Sequence, residues 1–231
     1  MGTASSNAAA RQTVSGCCRV TVFFLHGFGS SARSTKAGYF GRALEPFGID
    51  FRCPDFNEPD FRSMTMTRML DQLGAELASI DGPVALVGSS LGGSLAILAA
   101  ARFASRVDRL VLLAPAVSFG DPERHLLPAE RVEEWKRRGE YDFFHFAHNA
   151  KRPLAYAFYE DSLKYDAFGT LFPQPTLIFQ GRRDDLVDPQ AVEQFAAARP
   201  NVTLSLLDDD HQLIASLPQI WTGVRPFLGI A

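Results

Sequence analysis

Six short runs rich in β-branched and aromatic residues punctuate the chain, at 19–25 (RVTVFFL), 49–53, 84–87 (VALV), 109–113 (RLVLL), 176–180 (TLIFQ) and 202–207 (VTLSLL). Most are apolar without alternation, the pattern of strands buried on both faces. Between them, segments 36–44, 67–80, 91–103, 189–198 and 218–227 carry apolar residues at spacings of three and four, which predicts helices with one buried stripe. Thr67 ahead of Met69, Leu70, Leu73 and Leu77 reads as a helix start with a capping side chain. Asp188 followed by Pro189 reads the same way, with proline at the first helical position. Alternating strand and helix predict the α/β class: a mainly parallel sheet flanked by helices.

The alternation fails between Pro115 and Pro173, a stretch holding Trp135, Tyr141, Phe143, Phe144, Phe146, Tyr156, Phe158, Tyr159 and Tyr165 among many charges. It is too long for a loop of a compact domain. The expectation is a helical cap insertion, about 117–170, over one edge of the sheet. No repeat or linker divides the chain, so one domain is expected over 19–231, preceded by a loose leader over 1–18 rich in Ala, Ser, Thr and Asn.

Composition narrows the partners. At 231 residues and 46% hydrophobic, the chain buries one sizeable core. A net charge of −3 lacks the field that would hold a polyanion, so no nucleic acid is expected. No apolar run reaches the roughly 18 to 20 residues of a spanning helix, so no stable membrane insertion is expected. The leader lacks a signal-peptide core; Met1, Gly2 and Ser6 fit a loose acylation pattern that any small-residue segment meets easily. Cys17 and Cys18 are adjacent and Cys53 has no CxxC partner, so reduced thiols and a cytoplasmic location are expected, with Cys53 a small buried hydrophobe.

The chemistry gathers at strand ends. PVALV runs into Gly88-Ser89-Ser90-Leu91-Gly92 and then a helical segment, placing G-x-S-x-G on a strand, sharp turn and helix. Such an elbow exposes a serine oxygen in a strained backbone, and glycines two residues away on either side avoid collisions. A hydroxyl needs a base to become a nucleophile at neutral pH. His211, after the last predicted strand, comes to the same carboxyl edge of a parallel sheet. A carboxylate must hold that imidazole's tautomer, and Asp184 and Asp185 follow the strand TLIFQ. The chain order Ser90, acid, His211 is the one expected of a single fold family.

From Val20 onward the sequence resembles the α/β-hydrolase superfamily, through LHGFGSS (25–31), GSSLGG (88–93), GRRDDLVDP (181–189) and DHQ (210–212). The resemblance implies that the acid is Asp184, between Gly181 and Val187, with Asp185 as runner-up. It also implies an oxyanion hole from the backbone N–H groups of Phe28 and Leu91. The segment HGFGSSARSTKA and the compact length further resemble small bacterial carboxylesterases. The expected reaction is hydrolysis of small-molecule carboxylic esters with short to medium acyl chains through an acyl-enzyme; thioester or lysophospholipid hydrolysis would use the same groups. No metal or organic cofactor is expected.

Other features are weighed against this reading. Trp135, Phe143, Phe144, Phe146, Phe158 and Tyr159 are candidates for an apolar substrate pocket as well as for packing. His26 is expected to be structural, His145 and His148 lack a third ligand for a metal, and His125 carries no signal. The run Asp208 to Asp210 reads as mainly solvated. Gly27-x-Gly29-x-x-Ala32 with Asp50 satisfies a dinucleotide fingerprint, so a nicotinamide-binding oxidoreductase is the rival class. Arg33, Ser34 and Thr35 delay the helix whose N-terminus a pyrophosphate would need.

Overall fold

The computed structural model describes residues 20–121 and 127–230. The expected leader, Arg19, Cys17, Cys18, the acylation pattern and His125 lie outside the described residues. The remaining elements follow in the order β1 (Thr21–Leu25), α1 (Thr35–Leu44), β2 (Phe51–Arg52), α2 (Met66–Ala78), β3 (Val84–Ser89), α3 (Leu91–Arg102) and β4 (Val107–Leu113). After the insertion come β7 (Thr176–Gly181), α6 (Pro189–Ala197), β8 (Val202–Leu207) and α7 (Leu217–Phe227). Strands β2-β1-β3-β4-β7-β8 form one sheet in which every adjacent pair is parallel. All six carboxyl ends therefore reach the same edge.

Successive side chains of a strand point to opposite faces, and here they feed two separate cores. Val84 and Leu86 of β3, with Leu110 and Leu112 of β4, pack under α2, α3 and α6. Ala85, Val87, Val111 and Leu113 face the other way, with Phe40 of α1 and Ile220 and Val224 of α7. Lying between the sheet and α2, α3 is buried from Leu91 to Ala100.

Helix α2 starts differently from the sequence reading. Thr65, extended at φ −144°, is the N-cap and its hydroxyl accepts from Arg68 N–H. Thr67 already lies inside the first turn. Its otherwise unpaired N–H and its hydroxyl both donate to Asp161, at 2.7 Å each. Asp188 caps α6 through Gln190 N–H, with Pro189 first in the helix.

The insertion carries helices α4 (Ala129–Arg138) and α5 (Ala157–Ser162), and also an antiparallel hairpin, β5 (Glu140–His145) with β6 (Ala150–Ala155), that the sequence reading did not contain. The hairpin alternates: Tyr141, Phe143 and His145 are covered while Asp142 and Phe144 are exposed. Gly139 and Asn149, both with left-handed backbone, end α4 and turn the hairpin. Trp135 Nε1–H donates to Leu154 O at 2.9 Å, fastening α4 to β6. Asp161 of α5 ties the cap to α2 through Thr67.

Candidate active site

The turn from β3 into α3 forces Ser90 to φ 54° and ψ −118°, a region that side chains avoid. The backbone holds it there: Ser90 N–H donates to Leu113 O, while Ser90 O accepts from Gly93, Ser94 and Ala116 N–H. Space is just as restrictive. A Cβ on Gly88 would stand 2.3 Å from Gly92 O, and one on Gly92 would stand 2.0 Å from Leu25 O. Both glycines are required by close approach.

Strands β7 and β8 end beside this elbow and bring in the acid and the imidazole. Ser90 Oγ lies 3.1 Å from His211 Nε2, and His211 Nδ1 lies 2.9 Å and 3.0 Å from the two carboxylate oxygens of Asp184. With Nδ1–H donating to the carboxylate, Nε2 is the acceptor facing the hydroxyl. Asp184 Oδ1 also accepts from Leu186 and Val187 N–H, and Oδ2 from Gln180 Nε2–H at 2.7 Å. Burial pushes the Asp184 carboxyl up, but the His211 and backbone hydrogen bonds and the neighbouring imidazole hold it below the ordinary carboxylate range. Asp185 is exposed and joins none of these bonds.

Ser90 and His211 open on a cavity of about 1270 Å³. Phe28 and Leu91 line it, and among the described residues neither of their N–H groups has an acceptor. All six aromatic residues singled out in the cap also line it. Trp135 and Phe158 are buried, Phe143 and Tyr159 half-buried, and Phe144 and Phe146 stand at the mouth, 45% and 63% exposed. The Phe28 ring packs on Phe143 and Phe158 at 5.3 and 5.7 Å, joining the loop after β1 to the cap.

The remaining candidates fall elsewhere. His26 Nδ1–H donates to Gly27 O and Nε2 accepts from Phe56 N–H, so both ring nitrogens hold backbone. The loop Gly27 to Ala32 packs on the elbow and the cap: a Cβ on Gly27 would meet Ser89 O at 3.2 Å, and one on Gly29 would meet Phe144 O at 2.9 Å. His145 donates through Nε2–H to Asn57 Oδ1, and Asn57 Nδ2–H donates to Ser30 O, so the pair braces the same loop. Among the described residues no three His, Cys, Asp or Glu side chains form a group that could hold a metal, and no helix is long and apolar enough to cross a membrane. Cys53 is half-buried, and burial with nearby Asp55 pushes its thiol up to about 12, far from a nucleophilic thiolate.

Three positions at the site escaped the sequence reading. Gln180, at the end of the apolar run TLIFQ, holds the acid; a polar residue closing a buried strand was its only signal. Asp209 is buried, accepting from Ser216 and Asp210 N–H, unlike its exposed neighbours in the acidic run. Lys36 is buried on the cavity wall although its place near a helix start reads as solvated.

Comparison with known proteins agrees with this architecture. The mouse alpha/beta hydrolase domain-containing protein 10 superimposes with a TM-score of 0.77 at 22% identity, covering 90% of this chain and 89% of that one. Est1E from Butyrivibrio proteoclasticus, with ferulic acid bound, gives 0.78 at 20% identity over 90% and 88%. The fold is that of the α/β hydrolases. The biotin biosynthesis bifunctional protein BioHC of Teredinibacter turnerae is 30% identical over 132 residues, 54% of this chain. That match spans 22% of the relative's length. A model described as uncharacterised protein family UPF0227 matches residues 21–224, and the chain belongs to that family.

Proposed function

We propose that the protein hydrolyses carboxylic esters through an acyl-enzyme. The observation that carries this reading is the continuous hydrogen-bonded line from Ser90 Oγ through His211 to Asp184. His211 Nε2 takes the hydroxyl proton as Ser90 Oγ attacks the ester carbon. Asp184 orients the ring and stabilises the imidazolium. The carbonyl oxygen, negative in the tetrahedral intermediate, accepts from Phe28 and Leu91 N–H, which have no other acceptor among the described residues. His211 then protonates the departing alkoxide, and water activated by the same nitrogen releases the acid from Ser90.

Apolar contact along Trp135, Phe143 and Phe158 supports an ester with an apolar or aromatic portion, as does the aromatic acid bound by Est1E. The test is fluorophosphonate labelling with peptide mapping, beside turnover of p-nitrophenyl esters and a thioester. Label on Ser90, with turnover abolished in a folded Ser90→Ala variant, is the expected result. Label elsewhere, or ester turnover retained by that variant, overturns the proposal.

A further inference from the structure

Lys36 is the second residue of α1 and only 8% exposed. A lysine buried this far ordinarily meets a carboxylate, because an ammonium withdrawn from water without a partner is costly. Lys36 has none. Among the described residues no acceptor stands within hydrogen-bonding or ion-pairing distance of it, and Asp184, Asp210 and Asp209 act on it only through space. Burial lowers its pKa to about 8, with those carboxylates opposing, so it stays mostly charged at neutral pH.

The side chain lines the cavity that Ser90 and His211 open on. The segment leading into α1 adds Ser30, Ser31 and Ser34 to the lining, with Arg33 exposed at the rim. The first turn of the ten-residue helix α1 contributes the positive end of its dipole. Among the described residues the other charged side chains of the lining are Asp121 and Asp188, and Asp188 is engaged as the α6 cap. Lys36 makes no contact with the His211–Asp184 pair that would orient it. What it offers is a positive charge with no ion-pair partner among the described residues, inside the chamber where the ester must sit.

We infer that Lys36 receives a carboxylate carried by the substrate, so that the preferred ester is a monoester of a dicarboxylic acid or one whose alcohol half bears a carboxylate. This rests on the hydrolytic reading above. One buried monovalent cation is neutralised by one monovalent anion; a phosphate dianion would bring surplus negative charge into the field of Asp184. The second carboxylate takes no part in bond making: water adds across the ester bond, giving an acid and an alcohol, and the anchored group leaves unchanged.

Two substrate pairs distinguish the sources of the charge. p-Nitrophenyl hydrogen adipate against p-nitrophenyl heptanoate places it on the acyl side, and 4-acetoxybenzoate against its methyl ester places it on the leaving group. The wild-type protein is expected to favour the charged member of one pair, and Lys36→Met to reduce that kcat/KM ratio about ten- to a hundredfold, the usual weight of a charge-assisted bond. Lys36→Gln provides the same comparison if the methionine variant folds poorly. Equal loss on charged and neutral esters, or no wild-type preference in either pair, overturns the inference.

Calorimetry with Ser90→Ala protein separates it from the reaction. Tighter binding of the intact charged ester, lost in the Ser90→Ala, Lys36→Met double variant, upholds the carboxylate site even if no ester is turned over. That combination would refute hydrolysis instead. Turnover without any charge preference in either measurement removes the carboxylate site alone.

Discussion

Replacing Asp184 by asparagine tests the site at the level of single protons. The carboxylate receives donors only: Leu186 and Val187 N–H at 2.9 and 2.8 Å on Oδ1, Gln180 Nε2–H at 2.7 Å on Oδ2, and His211 Nδ1–H against both oxygens. Asparagine keeps one acceptor and presents an NH2 where the other stood. With its oxygen on Leu186 and Val187, the NH2 faces Gln180 and His211. Gln180 can turn its amide oxygen, which has no partner among the described residues, toward this NH2, but only by giving up its Nε2–H contacts to Gly181 O and Val187 O at 3.3 and 3.5 Å. The NH2, 2.9 Å from Nδ1, opposes its N–H and favours moving the proton from Nδ1 to Nε2, which aims an N–H at Ser90 Oγ, although Nδ1 also stands 3.0 Å from the retained oxygen. The ring then cannot accept the serine proton.

The same tautomer trap costs serine proteases about 10⁴ in kcat, or about 5 kcal/mol of barrier. A comparable fall is expected here, with stability lowered by only about 1 to 3 kcal/mol for the imperfectly paired donors. Turnover of p-nitrophenyl butyrate measured beside thermal unfolding separates the two effects. Asp185→Asn, altering an exposed side chain outside the network, is expected to stay within about twofold of wild type. A folded Asp184→Asn variant keeping more than about a tenth of wild-type kcat, or a larger fall in Asp185→Asn, would refute the reasoning.

Gly92→Ala drives a Cβ to within 2.0 Å of Leu25 O, so a loss of about 3 kcal/mol, a Tm lower by roughly 6 to 12 °C, and loss of Ser90 labelling are expected; unchanged melting would contradict the packing. Asp161 is pushed up by burial, but Thr67 and Lys164 donors hold it below its ordinary range. Its stabilisation is therefore present above about pH 4 and lost below. The gap in urea midpoint between wild type and Asp161→Asn should narrow from pH 6 to pH 3, and a constant gap would dismiss the linkage. Lys36 has the opposite sign, since its folded pKa near 8 lies under the unfolded 10.5. The cost is full below pH 8 and fades by pH 10.5, so Lys36→Met should be more stable by about 3 kcal/mol at pH 7, with the advantage closing at high pH.

What was legible in the chain follows from how each signal is encoded. Strands buried on both faces need continuous apolar runs, so β1, β3, β4 and β7 were located to within two residues at each end, and the edge strand β8, only partly buried, was located by the valine and leucines of VTLSLL. Parallel strands share one carboxyl edge, so residues just beyond β3, β7 and β8 converge there whatever their separation in sequence. The hairpin was hidden because its alternation spans only six residues, EYDFFH, and its partner strand carries Pro153. Thr65 and Thr67 both suit a cap, and the choice depends on Asp161, 94 positions from Thr67. Lys36 is the extreme case. A cation near a helix start looks solvent-exposed in any local window, and its burial comes from the chain folded over it.

Three features around Ser90 are unfavourable in isolation. The serine backbone sits at φ 54°, and among the described residues Phe28 and Leu91 N–H meet no acceptor and the ammonium of Lys36, a side chain only 8% exposed, meets no counter-ion within ion-pairing distance. None contributes to packing, and each alone lowers stability. Such costs scattered over a molecule would be unrelated accidents, but all three border one cavity. Each also has a sign: an exposed nucleophilic oxygen, two donors for a developing oxyanion, and a positive charge for an anion already present in the substrate. A single ligand with an ester carbonyl and a distant carboxylate relieves the last two and meets the first. The same ligand should therefore stabilise the protein on binding, and in Ser90→Ala protein the thermal shift it produces should exceed that of its neutral counterpart, a difference that Lys36→Met must remove if the three features answer to one molecule.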